Sequence, residues 1–288
     1  MQLSKLILGI DAGNYRAKTA GFYGVDSYKT NICNWFERNV KEQFGDDDME
    51  FEIDGRKGYS GTIAQFEDEF GDGTIYGETK AHDDTKIRIL LAIYRYLEKF
   101  KLDVESVYLV TGQPIRMHND DEKQKIMKML IRKHDFVVND KRITFKIEGV
   151  GIAPEGSAAF WSNPELGTKR IIDIGSGTVN LATIIDKKHI HKSSDTMNTG
   201  IETLRNKYDY EALAHAVFRT ATRLKWQSGE TIQVCGGVSE VILPYIRKYF
   251  PFAVAMVPKL KRQYDTLSVS PTYANAVGCY TIARGVFK

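Results

Sequence analysis

Two aspartates at the ends of apolar stretches are the residues of this sequence best suited to hold a metal ion beside an anion. Asp11 follows residues 6–10 and opens the turn Asp-Ala-Gly, and Asp173 follows residues 170–172 and opens the turn Asp-Ile-Gly. A carboxylate at the end of a strand is a suitable ligand for Mg²⁺, and glycine lets the next residues turn tightly against oxygen atoms. Amide groups in such a turn form a nest for anions. Each turn therefore predicts a site for a phosphate chain with its magnesium ion.

Each turn lies between two apolar stretches, which predicts a strand–turn–strand hairpin at residues 6–22 and another at residues 170–184. A single hairpin with Asp and Gly in its turn is common in proteins of many functions. Two copies carry more weight, because they can face each other across a cleft. The chain is thus predicted to have two halves, each opened by a hairpin and continued by strand–helix units.

Three further stretches could complete such a site, and each has a second interpretation. Pro154 predicts the first turn of a helix, so Glu155 would either complement the helix dipole or orient a water molecule. Lys18 is either an exposed lysine on the second strand or a point charge for the phosphates. Gly236 and Gly237, between a predicted strand and a predicted helix, form either a plain turn or a place where a base or ribose approaches the backbone.

The composition is that of a globular protein of one large or two moderate domains, with 288 residues, 42% hydrophobic and 27% charged. A net charge of +3 is too small to indicate direct binding to nucleic acid. Cys33, Cys235 and Cys279 are widely spaced, which favours neither a disulfide framework nor a metal site and fits the reducing cytoplasm. The N-terminal residues predict a strand rather than a signal peptide. No apolar run approaches the roughly 18 residues of a membrane span, so we expect no direct membrane contact.

Hydrophobic periodicity places further elements between the motifs. Helices are predicted from Asp83 through Leu97, around residues 126–131, in one or two pieces over 204–224 and over 272–283, with strands at 106–112, 143–147 and 231–235. Residues 25–80 predict a small, surface-exposed insertion of mixed structure. The acidic run at residues 46–48 is interpreted as a solvated loop rather than a metal site.

The order of five stretches resembles the fingerprint of the actin-like ATPases, and the resemblance spans nearly the whole chain. The five are two phosphate motifs, two connecting helices between domains and an adenosine motif, at residues 11–14 with Lys18, 173–178, 154–156, 274–278 and 234–237. The resemblance implies an α/β protein with the actin-like ATPase fold, in which two ribonuclease-H-like domains flank a nucleotide cleft. The implied parts are domain I over 1–153 with a small insertion at about 30–80, domain II over 154–272 with a reduced insertion at about 201–230, and a C-terminal helix over 273–288 that returns to domain I.

Within that superfamily, the chain is similar to the bacterial plasmid-segregation actins of the ParM-like group. The similarity rests on the Asp-x-Gly-Asn start at residues 11–14 and on residues 75–78 and 107–114. The short stretch between Asp173 and Val234 leaves room for little beyond the predicted helices. In this respect the chain resembles the AlfA-type actins, in which one subdomain is reduced.

The resemblance assigns roles to residues of the motifs. Asp11 and Asp173 are expected to hold Mg²⁺ through its bound waters and Glu155 to position the attacking water, and these three form the expected catalytic set. Contacts to the nucleotide are expected from Gly13, Asn14, Tyr15, Lys18, Gly175, Ser176, Gly177 and Thr178 around the phosphates, and from Gly200, Gly236, Gly237 and Val238 around the nucleoside. Val238 stands where the family often has a third glycine or a small residue. The expected ligands are ATP, with GTP as the alternative, and Mg²⁺.

The function that the resemblance implies is that of a filament-forming ATPase. ATP-bound subunits would add head to tail, hydrolysis would weaken their contacts, and a DNA-binding adaptor protein at the plasmid centromere would connect the filament to its cargo. Two alternatives stay open from the sequence: a small-molecule kinase of the same superfold, and a binding module such as a chaperone-like or cell-division scaffold. We expect neither an appended peptide-binding domain nor an amphipathic terminal helix, which weighs against the scaffold.

Overall fold

The computed structural model describes residues 2–40, 42–68, 79–206, 208–262 and 264–288. Residues 75–78, which contribute to the resemblance to the ParM-like group, lie outside the described residues. The described chain is built around two main β-sheets.

The larger sheet is formed by the first half of the chain and has nine strands in the order β3-β2-β1-β7-β9-β8-β5-β6-β4. The strands are β1 (Gln2–Ala12), β2 (Arg16–Gly21), β3 (Gly24–Lys29), β4 (Ile32–Asn34), β5 (Met49–Ile53), β6 (Arg56–Ser60), β7 (Asp103–Gln113), β8 (Lys133–Val138) and β9 (Lys141–Pro154). β1 pairs antiparallel with β2 and parallel with β7, which in turn pairs parallel with β9. The predicted first hairpin is therefore β1–β2, the second and third strands from one edge of the sheet.

The smaller sheet is formed by the second half and has the order β12-β11-β10-β14-β15, with β13 pairing with β11. Its strands are β10 (Thr168–Ile174), β11 (Val179–Ile185), β12 (Lys188–His189), β13 (Asp195–Met197), β14 (Ile232–Gly236) and β15 (Val254–Ala255); a separate ribbon joins β16 (Lys259–Lys261) and β17 (Thr266–Ser268). β10 pairs antiparallel with β11 and parallel with β14. The second hairpin thus has the same relation to its sheet as the first, which confirms the predicted structural repeat.

Seven α-helices cover the sheets in the described residues. They are α1 (Thr62–Glu67), α2 (Asp83–Phe100), α3 (Asp120–Leu130), α4 (Ser157–Phe160), α5 (Tyr210–Arg223), α6 (Ser239–Ile246) and α7 (Ala274–Val286). The start of α2 confirms the prediction, because Asp83 and Asp84 lie in its first turn and the His82 side chain accepts a hydrogen bond from the backbone N–H of Thr85. Between residues 204 and 224 the helix begins only at Tyr210, after a short 3₁₀ turn at Ile201–Thr203.

The prediction that residues 25–80 form a surface-exposed insertion is wrong for their described strands. β3 extends the central sheet beside β2, and β5 and β6 continue the same sheet beyond β8. In β5, Met49, Phe51 and Ile53 alternate with glutamates and are each only 2% exposed. A period of two places all three apolar side chains on one face, and that face belongs to the core of the first half.

The interpretation of residues 46–48 as a solvated loop holds for Asp46, which is exposed, but is wrong for Asp47 and Asp48, which organise the start of α1. Oδ1 of Asp47 accepts from the Thr62 backbone N–H (3.1 Å) and hydroxyl (2.6 Å), and its Oδ2 accepts from the Lys29 N–H (2.8 Å). Asp48 Oδ1 accepts from the Ile63 N–H (2.7 Å). Burial alone would raise the pKa of Asp47, but these hydrogen bonds outweigh burial and lower the pKa below its ordinary value.

The C-terminal helix α7 packs against β1 and β7 and crosses α4. Glycines make both contacts possible: a Cβ on Gly9 would lie 2.1 Å from the carbonyl oxygen of Ala276, and a Cβ on Gly278 would lie 1.7 Å from the carbonyl oxygen of Ala158. Neither position has room for a side chain unless the helix moves. The division of the chain into domains at residues 153 and 272 stays a prediction.

Replacing Gly278 by alanine should therefore separate α7 from α4. We expect a loss of about 3 kcal/mol or more in the free energy of unfolding, because both partners at the crossing are backbone atoms that cannot rotate away. Gly285→Ala is a matched control in the same helix, since a Cβ there meets nothing within 4 Å; it should leave stability unchanged or raise it by up to about 1 kcal/mol. Urea unfolding of both variants measures the difference, and equal effects would contradict the close packing.

Candidate functional site

A cavity of about 480 Å³ lies between the two hairpins. Both hairpin turns and the turn after β14 contribute to its wall, together with Glu155. The predicted site residues that line it are Asp11, Gly13, Asn14, Tyr15, Lys18, Glu155, Asp173, Gly175, Ser176, Gly177, Thr178, Gly236, Gly237 and Val238. The structure thus brings all of the predicted residues to one cavity except Gly200. A cavity of this size is typical of sites for nucleotide-sized ligands.

The first hairpin places Lys18 beside Asp11. The two residues are paired across the β1–β2 register, and the Lys18 ammonium lies 3.3 Å from Oδ2 of Asp11. The Lys18 side chain is only 14% exposed, so it is not an exposed strand lysine. A Cβ on Gly13 would lie 2.6 Å from the Arg16 carbonyl oxygen and 3.4 Å from the Lys18 ammonium, so the turn is tight and the ammonium lies over it.

The second hairpin closes in the same manner around Gly175. Its backbone N–H donates to the Thr178 carbonyl (2.9 Å), and the next segment docks behind it through the Ile201 N–H (3.2 Å to the Gly175 carbonyl). A Cβ on Gly200 would lie 2.3 Å from the Ser176 carbonyl oxygen. Gly200 therefore packs behind the turn, and it is Ile201 and Glu202 that reach the cavity. The prediction that Gly200 lines the nucleoside side is corrected accordingly.

Glu155 lies in the turn that follows a strand and not in a helix, so the predicted helix start at Pro154 is wrong. Strand β9 continues through Pro154, the Glu155 N–H donates to the Gln113 carbonyl (2.8 Å), and Gly156 has φ +72° before α4 begins at Ser157. This position removes the interpretation that Glu155 complements a helix dipole, because α4 has only four residues and Glu155 precedes it. The carboxylate is 6% exposed and fills the space beside Gly112, where a Cβ would lie 2.9 Å from its Cγ.

Three polar residues that sequence reasoning did not assign to the site contact its carboxylates. Lys80 forms an ion pair with Glu155, and its ammonium is 3.8 Å from Oδ1 of Asp11. The Asn180 amide donates to Glu155 Oε2 (3.1 Å) and to Asp173 Oδ2 (3.4 Å). The Asn275 amide donates to Asp173 Oδ2 (2.9 Å). Each asparagine is a polar residue within an apolar or small-residue element, and this pattern in the sequence could have identified both as candidate site residues. Lys80 belongs to no motif that could have identified it.

The pKa values of Asp11 and Asp173 are shifted in opposite directions. Burial alone would raise the pKa of Asp11, but the ammonium groups of Lys18 and Lys80 outweigh it, and the pKa lies below its ordinary value. For Asp173, burial and the neighbouring charges of Glu155 and Asp11 raise the pKa to about 6. Burial lowers the pKa of Lys80 less than Glu155 and Asp11 raise it, so this ammonium stays charged.

The raised pKa of Asp173 predicts a pH-dependent stability of the nucleotide-free protein. An acid whose pKa rises from 3.8 to about 6 on folding contributes stability that is fully present below pH about 4 and is lost as the pH rises through 6. Over this pH range the free energy of unfolding changes by up to about 3 kcal/mol. We expect Asp173→Asn to be more stable than the wild type at pH 7.5, with the difference shrinking toward pH 4. Urea unfolding of both proteins between pH 4 and pH 7.5 measures this difference. A difference in the free energy of unfolding that does not change with pH would contradict the raised pKa of Asp173.

The charged side chains that line the cavity fit a magnesium–nucleotide complex. No group of three or more His, Cys, Asp or Glu side chains that could hold a metal ion is found among the residues that the structure describes. Mg²⁺ needs no such group, because it keeps several waters and commonly binds one or two carboxylates together with phosphate oxygens. Asp11 and Asp173 are the carboxylates that would hold it, and the Lys18 ammonium over the Gly13 turn suits an anion there.

Comparison with known proteins defines the class of protein. The family model described as the N-terminal domain of actin-like proteins matches residues 9–157. The chain belongs to the actin-like proteins. Comparison with curated proteins gives no match.

Solved structures of AlfA and ParM proteins share the fold over nearly the whole chain. An AlfA filament bound to AMPPNP matches with a TM-score of 0.75 and 20% identity over 99% of both chains. The AlfA filament from the B. subtilis plasmid pLS32 matches with a TM-score of 0.77 and 20% identity over 95% of this chain and 97% of that chain. Apo ParM of psk41 matches with a TM-score of 0.70 and 16% identity over 99% and 98% of the two chains. These likenesses confirm the predicted α/β actin-like ATPase fold. None of the helices within the described residues is long and apolar enough to cross a membrane.

Proposed function

We propose that this chain binds ATP with Mg²⁺ between its two hairpins, hydrolyses it, and assembles head to tail into a cytoplasmic filament that segregates plasmid DNA. The observation that supports the proposal best is the single cavity onto which Asp11, Asp173 and Glu155 all open within an actin-like fold. GTP is the alternative nucleotide, because the glycines expected beside the nucleoside, Gly236 and Gly237, have no side chain that would select one base.

We propose the following roles for the residues that line the cavity. Asp11 and Asp173 hold Mg²⁺, which neutralises charge on the phosphates when it is bound. Lys18 stabilises negative charge near the first turn, and Glu155 orients the water that attacks. In the reaction, a bond forms between the water oxygen and the terminal phosphorus, the bond from that phosphorus to the bridging oxygen breaks, and the proton of the water passes to Glu155 or to solvent. The products are ADP and phosphate.

Self-association is the form of assembly that the related structures favour. The solved AlfA proteins are filaments, and a head-to-tail contact that does not close into a ring gives an open helix of subunits. The net charge of +3 supplies little attraction for DNA. We therefore propose that a DNA-binding adaptor protein at the plasmid centromere connects the filament to DNA.

Light scattering and pelleting of the purified protein test this function. With ATP or AMPPNP and Mg²⁺ the scattering should rise and most of the protein should pellet, whereas protein without nucleotide should stay in the supernatant. GTP is tested in parallel to identify the preferred base. Scattering that stays flat with both nucleotides across a wide range of protein and salt concentration would rule out the filament. A metabolite-dependent release of ADP would instead favour the small-molecule kinase.

A further inference from the structure

Lys80 is a buried ammonium group that joins two parts of the candidate site. It is 7% exposed and lies just before α2, outside both hairpins. Its Nζ is paired with Oε1 of Glu155 and lies 3.8 Å from Oδ1 of Asp11. It thus connects the first hairpin with the turn that carries the water-positioning carboxylate. Placing a lysine in this environment costs desolvation energy, so a role for its charge is expected.

The contact of Lys80 with Glu155 conflicts with the role proposed for that carboxylate. Oε1 of Glu155 is occupied by Lys80, and Oε2 accepts a hydrogen bond from Asn180 (3.1 Å). A carboxylate held at both oxygens is poorly placed to accept a proton from an attacking water. Glu155 could act only after one partner is drawn away. Asn180 is fixed within β11 and also donates to Asp173, so Lys80 is the partner that can leave.

A terminal phosphate is the group that would draw Lys80 away. The ammonium lies between Asp11 and Glu155, which is where the end of a phosphate chain anchored at the hairpins would lie. A phosphate group with two negative charges in a buried site competes strongly with a single carboxylate for a cation. Lys18 is differently placed, because it lies over Gly13 and contacts the other oxygen of Asp11. Lys18 is therefore suited to the phosphates near the turn, and Lys80 to the last one.

We propose that Lys80 is the residue by which this protein distinguishes a nucleoside triphosphate from a diphosphate. Without nucleotide, its ammonium neutralises Glu155 and Asp11. With a triphosphate, the ammonium moves to the terminal phosphate and Glu155 becomes available to water. A diphosphate does not reach Lys80, and the pair with Glu155 stays closed. This inference rests on the proposed function of the cavity as a nucleotide site.

Binding of AMPPNP and ADP, each with Mg²⁺, by calorimetry tests the role of Lys80. In Lys80→Gln the affinity for AMPPNP should fall about 10- to 100-fold, the effect of one lost charged hydrogen bond, while the affinity for ADP should stay within about twofold. Lys80→Arg keeps the positive charge and should retain most of the preference for AMPPNP. The control is Lys86→Gln, which removes another buried lysine, one paired with Asp54 (2.9 Å) and Asp83 (3.0 Å) away from the cavity. It should leave the ratio of the two affinities unchanged.

The double variant Lys80→Gln/Glu155→Gln covers the case in which Lys80→Gln alone does not fold. It removes the positive and the negative partner together and should lose the preference for AMPPNP, whereas Glu155→Gln alone should keep it. Equal losses of AMPPNP and ADP affinity in Lys80→Gln, or a change of the ratio in Lys86→Gln, would overturn the inference. Equal affinities of the wild type for both nucleotides would overturn it while leaving the proposed function intact. A wild type that binds neither nucleotide would instead remove the proposed function itself.

Discussion

Replacing Glu155 by alanine is expected to slow ATP hydrolysis about 100-fold or more while assembly persists or strengthens. The loss of a positioned base typically costs a factor of about 10² to 10⁴ in rate. Glu155 is buried in the turn after β9 and faces the same cavity as both aspartates. If hydrolysis weakens the contacts between subunits, filaments of the variant should remain in the ATP state and disassemble more slowly.

Phosphate release and pelleting, measured on the same samples at saturating ATP, test this expectation. Glu148→Ala is the matched control, because Glu148 lies on β9, which leads to Glu155, is more exposed and pairs with Lys146 (3.0 Å) away from the cavity. The control should hydrolyse ATP and assemble like the wild type. Unchanged hydrolysis in Glu155→Ala, or filaments that disassemble faster, would contradict the role given to Glu155.

Removing either aspartate should abolish magnesium-dependent nucleotide binding, yet the two substitutions should have opposite effects on stability. For Asp11→Ala and Asp173→Asn we expect the gain in affinity that Mg²⁺ confers to fall by about 100-fold or more, since each variant lacks one of two carboxylates for the metal. Asp11→Ala also leaves Lys18 without its counter-charge and Lys80 with Glu155 alone, and should destabilise the fold. Asp173→Asn should stabilise the nucleotide-free protein, because burial and the charges of Glu155 and Asp11 raise the pKa of Asp173 to about 6 and so disfavour its ionised form.

Titration of each variant with AMPPNP in Mg²⁺ and in EDTA, together with thermal unfolding, separates the two effects. Asp26→Asn is a suitable control, because Asp26 is equally buried but pairs with Arg95 (3.0 Å) and Lys99 (3.1 Å) away from the cavity. It should lower stability without changing the effect of Mg²⁺ on binding. Unchanged magnesium dependence in Asp11→Ala or Asp173→Asn would remove that residue from the site.

The hairpins and their glycine turns could be predicted from the sequence because their signals are local. An apolar strand followed by Asp-x-Gly and a second apolar strand specifies a hairpin within about twenty residues. The equivalent positions of β1 and β10 in their sheets then bring Asp11 and Asp173 to one cavity. The helix α2 was predictable for the same reason, since its periodicity and the acidic residues of its first turn are local patterns.

The contacts that depend on distant parts of the chain could not be predicted in this way. Lys80 meets Glu155 across 75 positions of sequence, and Asn275 meets Asp173 across 102. Gly200 looked like a ligand contact, but its small size serves packing behind Ser176. Asp47 looked solvated because its neighbours are acidic, yet the start of α1 supplies its hydrogen bonds. In each case the partner is fixed by tertiary structure and not by the local sequence.

A crystal structure of the protein with AMPPNP and Mg²⁺ tests the central claim most directly. We predict the phosphates between the turn at Gly13 and the turn at Gly175, with the metal beside Asp11 and Asp173. Nucleotide bound elsewhere on the protein, or a cleft that stays empty at saturating AMPPNP with the two turns facing apart, would contradict the proposed site and the function built on it.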